Sequence, residues 1–352
     1  MADTNFIANE DMLKLFFYTM YERQQMWYKR FILKLPQEEW TTNEYYTKYR
    51  FTNVYRELDR ASQYLLKYII LNNDTWHKYD NDDDNYVNLI WKILFFRIIN
   101  NPRIFNSVDV IADFDKYDPN EFYKYLKENI IDQGLPFAHG AFCQFSKHEI
   151  TDENGNTHKF ENMPEFFAKY VLTRLHSHIK DIYKWMKDSF NNETTADDFI
   201  DYMSHTIDAC GRFIAHEFFQ DFCYIKPYTG LNLMRYTVND ATNAGPGSTA
   251  GAKIIFNNVK SKKDVINAIK YLCSISEDKL KEIQKERFPE SDGFYFIQWD
   301  RDSNSYKRVD CNITLNQLEM WLCEFYKYIN YTKSTGRIRV YSNKKSSSDL
   351  LY

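Results

Sequence analysis

The stretch "FTNVYRELDR" (residues 51–60) concentrates charged and amide side chains between apolar residues. The polar residues of this stretch whose side chains could take part in catalysis or binding are Asn53, Arg56, Glu57, Asp59 and Arg60. Helical periodicity predicts a helix over 52–71, with Thr52 or Asn53 near its cap. Arginines and carboxylates this close together either form a buried salt-bridge network between helices or line a charged pocket. The residue types alone leave both interpretations open.

A second candidate is the turn in "NDATNAGPGSTAGAKIIF" (residues 239–256). Gly245 and Gly247 flank a proline, Ser248 can cap the helix that follows, and Lys253 lies further along it. Backbone N–H groups at such a helix start suit an oxyanion or a pyrophosphate. The pattern is neither a P-loop nor GxGxxG, and a purely structural turn explains the same residues.

A third candidate is "LEMWLCEFYKYI" (residues 318–329), in which Glu324, Lys327 and Tyr328 share one helical face. A buried glutamate has a raised pKa unless it is paired with a cation. The segment therefore predicts either a residue for acid–base chemistry or an internal ion pair.

The charge of the chain bears on whether nucleic acid can be a partner. The formal net charge of -4 gives no general attraction for nucleic acid, so a nucleic-acid partner would need a local basic patch. Such a patch is predicted in "KSTGRIRVYSNKK", with the cations Lys333, Arg337, Arg339, Lys344 and Lys345.

Metal and membrane motifs are missing from the sequence. The 8 histidines and 6 cysteines form no HExxH or CxxC spacing, which argues against a zinc site and favours reduced thiols in a cytoplasmic protein. The most apolar stretch, 87–99, is too short to span a bilayer and contains Lys92 and Arg97. No membrane partner is expected.

The elements that must position these residues are predicted to be mainly α-helical. Aromatic residues make up 18% of the chain, while glycine (10) and proline (8) are scarce. Helical patterns cover 8–33, 52–71, 86–99, 119–134, 163–190, 195–209, 211–223, 247–258, 263–275 and 314–330. "HEITDENGNTHKF" (148–160) predicts a small β-hairpin, and "NDDDN" (81–85) a solvated acidic loop.

Five segments in a fixed order identify a protein family more specifically than any single segment does. They are "YERQQMWYKR", "WTTNEYYTKYRFTNVYRELDR", "GRFIAHEFFQD", "AGPGSTAGAKIIF" and "CEFYKY", followed by a basic C-terminus. Together they resemble the glutamyl/putrescinyl thymine pyrophosphorylases, or amino acid:DNA transferases, and the helical domain of hydroxymethyluracil DNA kinases. These families are a divergent branch of the helix-hairpin-helix DNA glycosylase superfamily, found in bacteriophages and in some eukaryotic genomes. The resemblance covers roughly residues 10–340.

The resemblance implies hypermodification of thymine in DNA. A transferase of this kind lets an amine displace pyrophosphate from 5-pyrophosphoryloxymethyluracil, and the amine is a free amino acid or a polyamine. The sequence has no Walker motif, so a separate hydroxymethyluracil DNA kinase is the expected pathway partner. The resemblance allows Mg²⁺ on the pyrophosphate but assigns it no protein ligand. The cytoplasm of a phage-infected bacterium, or another host cell, is the expected location.

The resemblance also assigns roles to residues. The arginines of 51–60, joined by Arg23 from the first helix, would hold the leaving pyrophosphate, because the arginine fork grips two phosphate oxygens at once. The expected phosphate-binding and substrate-binding residues are Arg23, Asn53, Arg56, Arg60, Gly245, Gly247, Ser248, Lys253, Lys327 and Arg337. The candidate acids for catalysis are Glu57, Asp59, Glu324 and Asp221. The glycosylase hairpin falls on the turn at Cys210 and Gly211, and Asp221 lies near the position of the glycosylase acid.

The expected fold is therefore a single two-lobed, glycosylase-like helical domain over 1–340, with DNA between the lobes and the base flipped into the cleft. Lobe boundaries are expected near 100–160 and 287–310, and 341–352 as a flexible basic tail. Base excision by a DNA glycosylase, or docking of modified DNA for a separate kinase without catalysis, are the alternative functions.

Overall fold

The computed structural model describes residues 6–105, 110–137, 148–151, 155–207, 210–300, 303, 305–310 and 313–334. The chain forms two compact units. Unit 1 combines Met1–Asp59 with Ala241–Tyr352, and unit 2 is Arg60–Asp240. Unit 2 is thus an insertion between the two halves of unit 1.

Unit 1 consists of five helices and one hairpin among its described residues. Its elements are α1 (Glu10–Phe31), α2 (Glu44–Lys48), α12 (Pro246–Ile255), α13 (Lys262–Arg287), β3 (Tyr295–Asp300), β4 (Ser305–Asp310) and α14 (Leu315–Thr332). β3 and β4 pair antiparallel, with Tyr295 opposite Asp310. Single 3₁₀ turns lie at Gln37–Glu39 and Arg56–Leu58.

The core of unit 1 is rich in aromatic side chains and is built around α1. Phe16, Phe17 and Trp27 are fully buried there, and Phe16 meets Phe325 of α14 edge to face at 5.4 Å between ring centroids. The indole N–H of Trp321 donates to the Phe16 carbonyl at 3.3 Å, so the buried polar edge of that ring is satisfied. These contacts fix the rotation of α1 and therefore the direction in which its polar residues project.

Helices α12 and α14 approach each other closely because α12 begins with small residues. A Cβ atom on Gly251 would overlap the carbonyl oxygen of Leu322, and one on Gly247 would lie 2.8 Å from the Cys323 sulfur. A side chain at Gly251 would therefore displace the α14 backbone, and one at Gly247 would displace the Cys323 side chain. The small residues of "AGPGSTAG" thus have a packing role that is independent of any ligand.

Unit 2 contains the remaining described elements. They are α3 (Arg60–Tyr64), α4 (Asn73–Trp76), α5 (Asp82–Ile99), α6 (Pro119–Leu126), β1 (Glu149–Thr151), β2 (Thr157–Lys159), α7 (Met163–Phe166), α8 (Leu172–Asp188), α9 (Ala196–Thr206), α10 (Arg212–Cys223) and α11 (Ile225–Thr229). Wider π-helical turns extend α3 through Ile70, α6 through Ile131 and α7 through Val171. β1 and β2 pair antiparallel.

Helix α5 is the buried centre of unit 2, and its two cations are matched internally. Lys92 donates to the Ile111 carbonyl at 2.7 Å and lies 3.0 Å from Asp113. Arg97 forms a two-pronged pair with Asp221 of α10. A helix that is apolar on nearly all sides can bury these charges because each has a partner.

The mainly helical prediction and the 148–160 hairpin are confirmed. The acidic loop predicted at 81–85 is wrong: Asn81 caps α5, and Asp82, Asp83 and Asp84 form its first turn. Acids at a helix start are stabilised by the exposed N–H groups and the helix dipole. The polar stretch 287–310 contains β3 and β4.

The glycosylase-like arrangement and the lobe boundaries near 100–160 and 287–310 stay predictions. The tail 341–352 lies outside the described residues. Within the described part of the chain, none of the helices is long and apolar enough to cross a membrane.

Candidate functional site

Arg23 is the centre of a polar cluster inside unit 1. The packing of α1 turns this side chain inward, where it is only 8% exposed. One terminal nitrogen donates to Asn53 Oδ1 at 2.7 Å and to the Phe51 carbonyl at 3.4 Å. Arg23 therefore contacts the 51–60 segment, as expected.

The 51–60 segment itself is not the predicted helix. Asn53 donates from Nδ2 to the Leu58 carbonyl at 3.0 Å and to Asp59 Oδ1 at 3.2 Å. These bonds close a loop over the 3₁₀ turn Arg56–Leu58, and helical geometry resumes only at Arg60. Asparagine side chains compete with helical hydrogen bonds in this way. The predicted helical start at 52 is wrong for that reason.

Asp59 is a carboxylate whose ionisation is finely balanced. Burial raises its pKa to about 6, against the opposing effects of the hydrogen bonds from Asn53 and the positive charges of Arg56 and Arg23. Half of such carboxyl groups are ionised near pH 6, so at neutral pH the group is a base close to its own pKa. Asp59, Asn53 and Arg23 form a chain that we call the Arg23–Asp59 cluster.

Glu57 lies on the same turn with a different partner. Burial raises its pKa above the usual range, although its backbone hydrogen bond, Arg56 and the Gln317 amide oppose that change. Gln317 donates to Glu57 Oε2 at 3.4 Å, and its own Oε1 accepts from Thr314 at the start of α14. The cap of α14 therefore holds the amide that faces Glu57.

Glu324 and Lys327 of α14 form the internal ion pair that was one of two expectations. Lys327 Nζ lies 3.0 Å from Glu324 Oε2, and the two side chains are 24% and 12% exposed. The same carboxylate oxygen accepts from the backbone N–H of Thr52 at 3.0 Å. Lys327 also lies 4.7 Å from the centre of the Phe51 ring. This pair fixes the start of the 51–59 segment to α14.

The helix start predicted to hold phosphate lies beside a carboxylate of the chain. A Cβ atom on Gly245 would lie 3.5 Å from Glu319 Oε1, and Glu319 is only 7% exposed. Ser248 is buried and donates to the Gly245 carbonyl at 3.2 Å. Lys253 is exposed. A phosphate at this position would have to share the helix start with Glu319, and phosphate binding by these residues stays a prediction.

Asp221 is fully buried in unit 2. Its two oxygens accept from Arg97 at 2.6 and 2.7 Å, and Arg97 also donates to Ser62 at 3.2 Å and to Asn100 at 3.1 Å. A carboxylate bound in this two-pronged way has the partner it needs within the protein.

The remaining predicted residues are Arg60 and Arg337. Arg60 is the first residue of unit 2, where burial and Arg103 lower its pKa. Arg337 lies outside the described residues. Among the residues that the structure does describe, no group of three or more histidine, cysteine or acidic side chains is placed to hold a metal ion.

Sequence reasoning missed one acidic residue next to Arg23. Glu22 is 5% exposed and accepts hydrogen bonds from Thr41 Oγ1 at 2.5 Å and Asn43 Nδ2 at 2.9 Å. It lines an open groove of about 1210 Å³ in unit 1. The signal was present in "YERQQMW" and "WTTNEYY", where polar residues interrupt two aromatic-rich stretches.

Comparison with known proteins identifies the family. The model of the 5-hmdU DNA kinase helical domain matches residues 10–336. The 5-hmdU DNA kinase of Bacillus phage SP10 is 22% identical over 328 residues, which are 92% of this chain and 46% of the kinase. The chain therefore spans about half the length of that curated relative. No solved structure gives a significant match. The chain belongs to the 5-hmdU DNA kinase helical-domain family.

Proposed function

We propose that this protein is a DNA-modifying transferase that replaces the pyrophosphate of 5-pyrophosphoryloxymethyluracil in DNA with an amine. The Arg23–Asp59 cluster carries the proposal, because it joins a base and a cation through one asparagine. A relative that bears the name 5-hmdU DNA kinase supports a 5-substituted uracil in DNA as the substrate.

The reaction needs both members of the cluster. The amine nitrogen attacks the methylene carbon with its lone pair, the carbon–oxygen bond breaks, and pyrophosphate leaves with the bonding electrons. The nitrogen then carries one proton too many, which passes to a carboxylate. Asp59 is our choice for that base because its pKa of about 6 lets it accept a proton and release it to solvent near neutral pH.

The leaving group gains one negative charge when the carbon–oxygen bond breaks, which gives a fully ionised pyrophosphate four in total, and it needs cations. Arg23 and Arg56 are buried beside Asp59 and supply two guanidinium groups within unit 1. Cations fixed in advance where charge develops lower the barrier more than mobile surface cations do. Arg60, Lys253, Lys327 and Arg337 are further proposed contacts to phosphate, with Mg²⁺ on the pyrophosphate as an added charge.

The other candidate acids receive lesser roles in this proposal. Glu57 is a second possible base because burial also raises its pKa. Glu324 is engaged by Lys327 and by the Thr52 backbone, which suits a positioning role. Asp221 holds α5 to α10 through Arg97. The glycosylase-like fold, the flipped base and a separate kinase as pathway partner remain parts of the proposal.

The test uses duplex DNA that contains 5-pyrophosphoryloxymethyluracil, incubated with the protein and a mixture of amino acids and polyamines. Nucleosides are analysed by mass spectrometry and released pyrophosphate is measured. We expect a nucleoside extended by one amine, and pyrophosphate release that requires the amine. Asp59→Asn should slow both by roughly a hundredfold or more, whereas Glu277→Gln, at an exposed pair with Lys281 on α13, should change neither.

Two other outcomes would reject this function. Abasic sugars formed without any amine would show base excision. Tight binding of the modified DNA with unchanged nucleosides would show a docking module. Docking is the second candidate function because the family match is to a helical domain and the chain spans only 46% of the related kinase.

A further inference from the structure

The groove beside Glu22 is an open surface of unit 1 with room for an extended stretch of chain. Its volume of about 1210 Å³ exceeds the range of about 300–1,000 Å³ typical of small-molecule pockets. α1, the 38–42 segment and the turn after α13 form its walls, all within unit 1. Its size therefore suits a peptide better than a compact ligand.

The groove is more acidic than the chain as a whole. Six carboxylates line it, against three cations. Two of those cations, Lys14 and Arg287, contact Glu286, which does not line the groove. Among the described residues, Asp292 is the one acid of the six with a cation at salt-bridge distance, and that cation is Arg308. The five other acids are Asp11, Glu22, Glu38, Glu39 and Glu290. This excess of negative charge favours a cationic occupant.

Glu22 is the buried member of this acidic set. It is 5% exposed, and its hydrogen bonds come from Thr41, Asn43 and the Tyr18 hydroxyl, all of which are neutral donors. A carboxylate that is withdrawn from water with neutral donors alone is stabilised strongly by a cation that contacts it. Glu22 therefore adds to the attraction that the four exposed acids exert on a cation.

Apolar and aromatic side chains form the rest of the walls. Tyr18 stacks on Phe288 with ring centroids 5.8 Å apart, and Leu33 is 48% exposed. Arg30 lies 4.9 Å from the centre of the Trp40 ring, so this ring already accepts a guanidinium group. Aromatic faces attract arginine, and apolar walls pack against aliphatic side chains. The groove thus combines negative charge with apolar surface.

The chain contains a segment of the opposite charge after α14. Residues 335–345, "TGRIRVYSNKK", contain no acid. Their four cations are Arg337, Arg339, Lys344 and Lys345. Ile338 and Val340 alternate with the arginines, and successive side chains of an extended chain point to opposite sides. These residues lie outside the described part of the chain. Their sequence offers the groove arginines on one side and branched apolar side chains on the other.

The described end of α14 brings this segment within reach of the groove. The Tyr328 hydroxyl lies 3.2 Å from Asn43 Nδ2, which also donates to Glu22 at 2.9 Å. α14 ends at Thr332, and Ser334 has the left-handed backbone (φ 54°) typical of a helix end. The chain advances only about 10 Å from Tyr328 to Ser334, at 1.5 Å per helical residue. Residues 335–345 can extend over roughly 36 Å, which is enough to follow the groove.

We propose that the groove is the docking site for residues 335–345 of the same molecule. The arginine and lysine side chains of this segment contact the groove acids, and Ile338 and Val340 contact the aromatic walls. While the segment is docked, carboxylates hold the cations that the phosphates of DNA would bind, so the protein binds DNA more weakly. This effect on DNA rests on the proposed function, in which Arg337 contacts phosphate, whereas the docking itself does not.

The first test is carbodiimide cross-linking of the full chain, which joins lysine amines to carboxylates in contact with them. Peptides are then analysed by mass spectrometry. We expect Lys344 and Lys345 to be joined mainly to Glu38, Glu39 and Glu290. Asp278, an exposed acid of α13 outside the groove, is the control and should give few such products. A mixture of light and heavy isotope-labelled protein shows whether each product forms within one molecule.

The second test compares two variants of equal charge. The groove variant combines Glu38→Gln, Glu39→Gln and Glu290→Gln, and the control combines Glu277→Gln, Asp278→Asn and Glu282→Gln on α13. All six acids are exposed, so both variants should fold. The groove variant should bind unmodified duplex DNA about tenfold more tightly than the control at low salt, because its segment is released. Adding Arg337→Gln and Arg339→Gln to the groove variant should remove most of this gain.

Three results would overturn the proposal. One is cross-linking of Lys344 and Lys345 to Asp278 as often as to the groove acids. Another is cross-linking between molecules rather than within one. The third is an equal affinity of the two charge-matched variants for DNA.

The docking proposal and the proposed function fail separately. Cross-links to the groove in a protein without transfer to pyrophosphorylated DNA would reject the proposed function and leave docking intact. Transfer by a protein whose lysines do not cross-link to the groove would do the reverse.

Discussion

Each unit contains an arginine and an aspartate that are largely withdrawn from water. In unit 2 they are Arg97 and Asp221, and in unit 1 they are Arg23 and Asp59, with Asn53 between them. In the first, the guanidinium grips the carboxylate directly, with two bonds of 2.6 and 2.7 Å. In the second, an asparagine separates them, and Arg23 reaches Asn53 rather than Asp59.

The difference teaches how one pair of residue types can serve structure or chemistry. A direct two-pronged pair satisfies both charges and leaves neither group available. An interposed amide keeps the arginine at a distance, so burial dominates and raises the pKa of Asp59 to about 6. We therefore expect the larger loss of stability from substitutions in the first region, and a loss of chemistry from substitutions in the second.

Asp221→Asn should have the largest effect, on stability. It leaves the Arg97 charge buried without its counter-ion, and the free energy of unfolding should fall by about 3–5 kcal/mol. Urea unfolding followed by circular dichroism measures this. Asp197→Asn, which affects an exposed pair with Arg212, should cost no more than about 1 kcal/mol. Equal effects of the two substitutions would contradict a structural role for Asp221.

Asp59→Asn should act on the transfer reaction rather than on folding. Loss of a general base typically costs about 10²–10⁴ in rate, so we expect a decrease of roughly a hundredfold or more in kcat. Single-turnover assays with pyrophosphorylated DNA and saturating amine measure it. Unchanged kcat in a folded Asp59→Asn protein, with a large loss in Glu57→Gln, would move the base to Glu57.

Arg23→Lys keeps the charge but removes the planar fork that reaches Asn53 and Phe51. A lost hydrogen bond to a charged group costs about 1.5–3 kcal/mol, so unfolding should become easier by roughly 2 kcal/mol. Arg212→Lys, at an exposed site, is the matched control. A shift in the pH dependence of the reaction in Arg23→Lys, without such a shift in the control, would link the arginine to Asp59.

The smallest expected effect is on the pH dependence of stability. The pKa of Asp59 is raised from 3.8 in the unfolded chain to about 6 in the folded protein. The unfolded state therefore ionises first as the pH rises, and stability falls between about pH 4 and 6, then stays level. Because the Asp59 residue keeps some exposure to water, we expect a difference of about 1 kcal/mol between the parent and Asp59→Asn across this range. Parallel stability curves would show that the folded environment leaves this group unperturbed.

The sequence predicted the helices well where the apolar pattern repeats over many residues. α1, α5 and α14 lie within about two residues of their predicted starts or ends, apart from the acidic first turn of α5. The helix predicted over residues 52–59 is absent because the conformation of this segment depends on hydrogen bonds from Asn53 across the turn to Leu58 and Asp59. Such a choice between local hydrogen bonds has no periodic signature.

The site was predictable as a set of residue types but not as pairs. The approach of Arg23 to Asn53 followed from the expectation that both line one pocket, and the distance of 2.7 Å agrees with it. The interposition of Asn53 between arginine and acid could not be read from spacing, because it depends on tertiary packing across 30 residues of sequence. Glu22 was missed because a single acid in an aromatic helix resembles an exposed residue.

The insertion of unit 2 between the halves of unit 1 also affects how the protein is made. Helix α1 leaves the ribosome long before its packing partners α13 and α14 exist. Roughly 200 residues separate the end of α1 from the start of α12, which is about 10–40 s of synthesis. During that interval Phe16, Phe17 and Trp27 lack their final cover, while the contiguous residues 60–240 can already condense. Assembly of the Arg23–Asp59 cluster on its finished scaffold therefore has to wait until α14 has been synthesised.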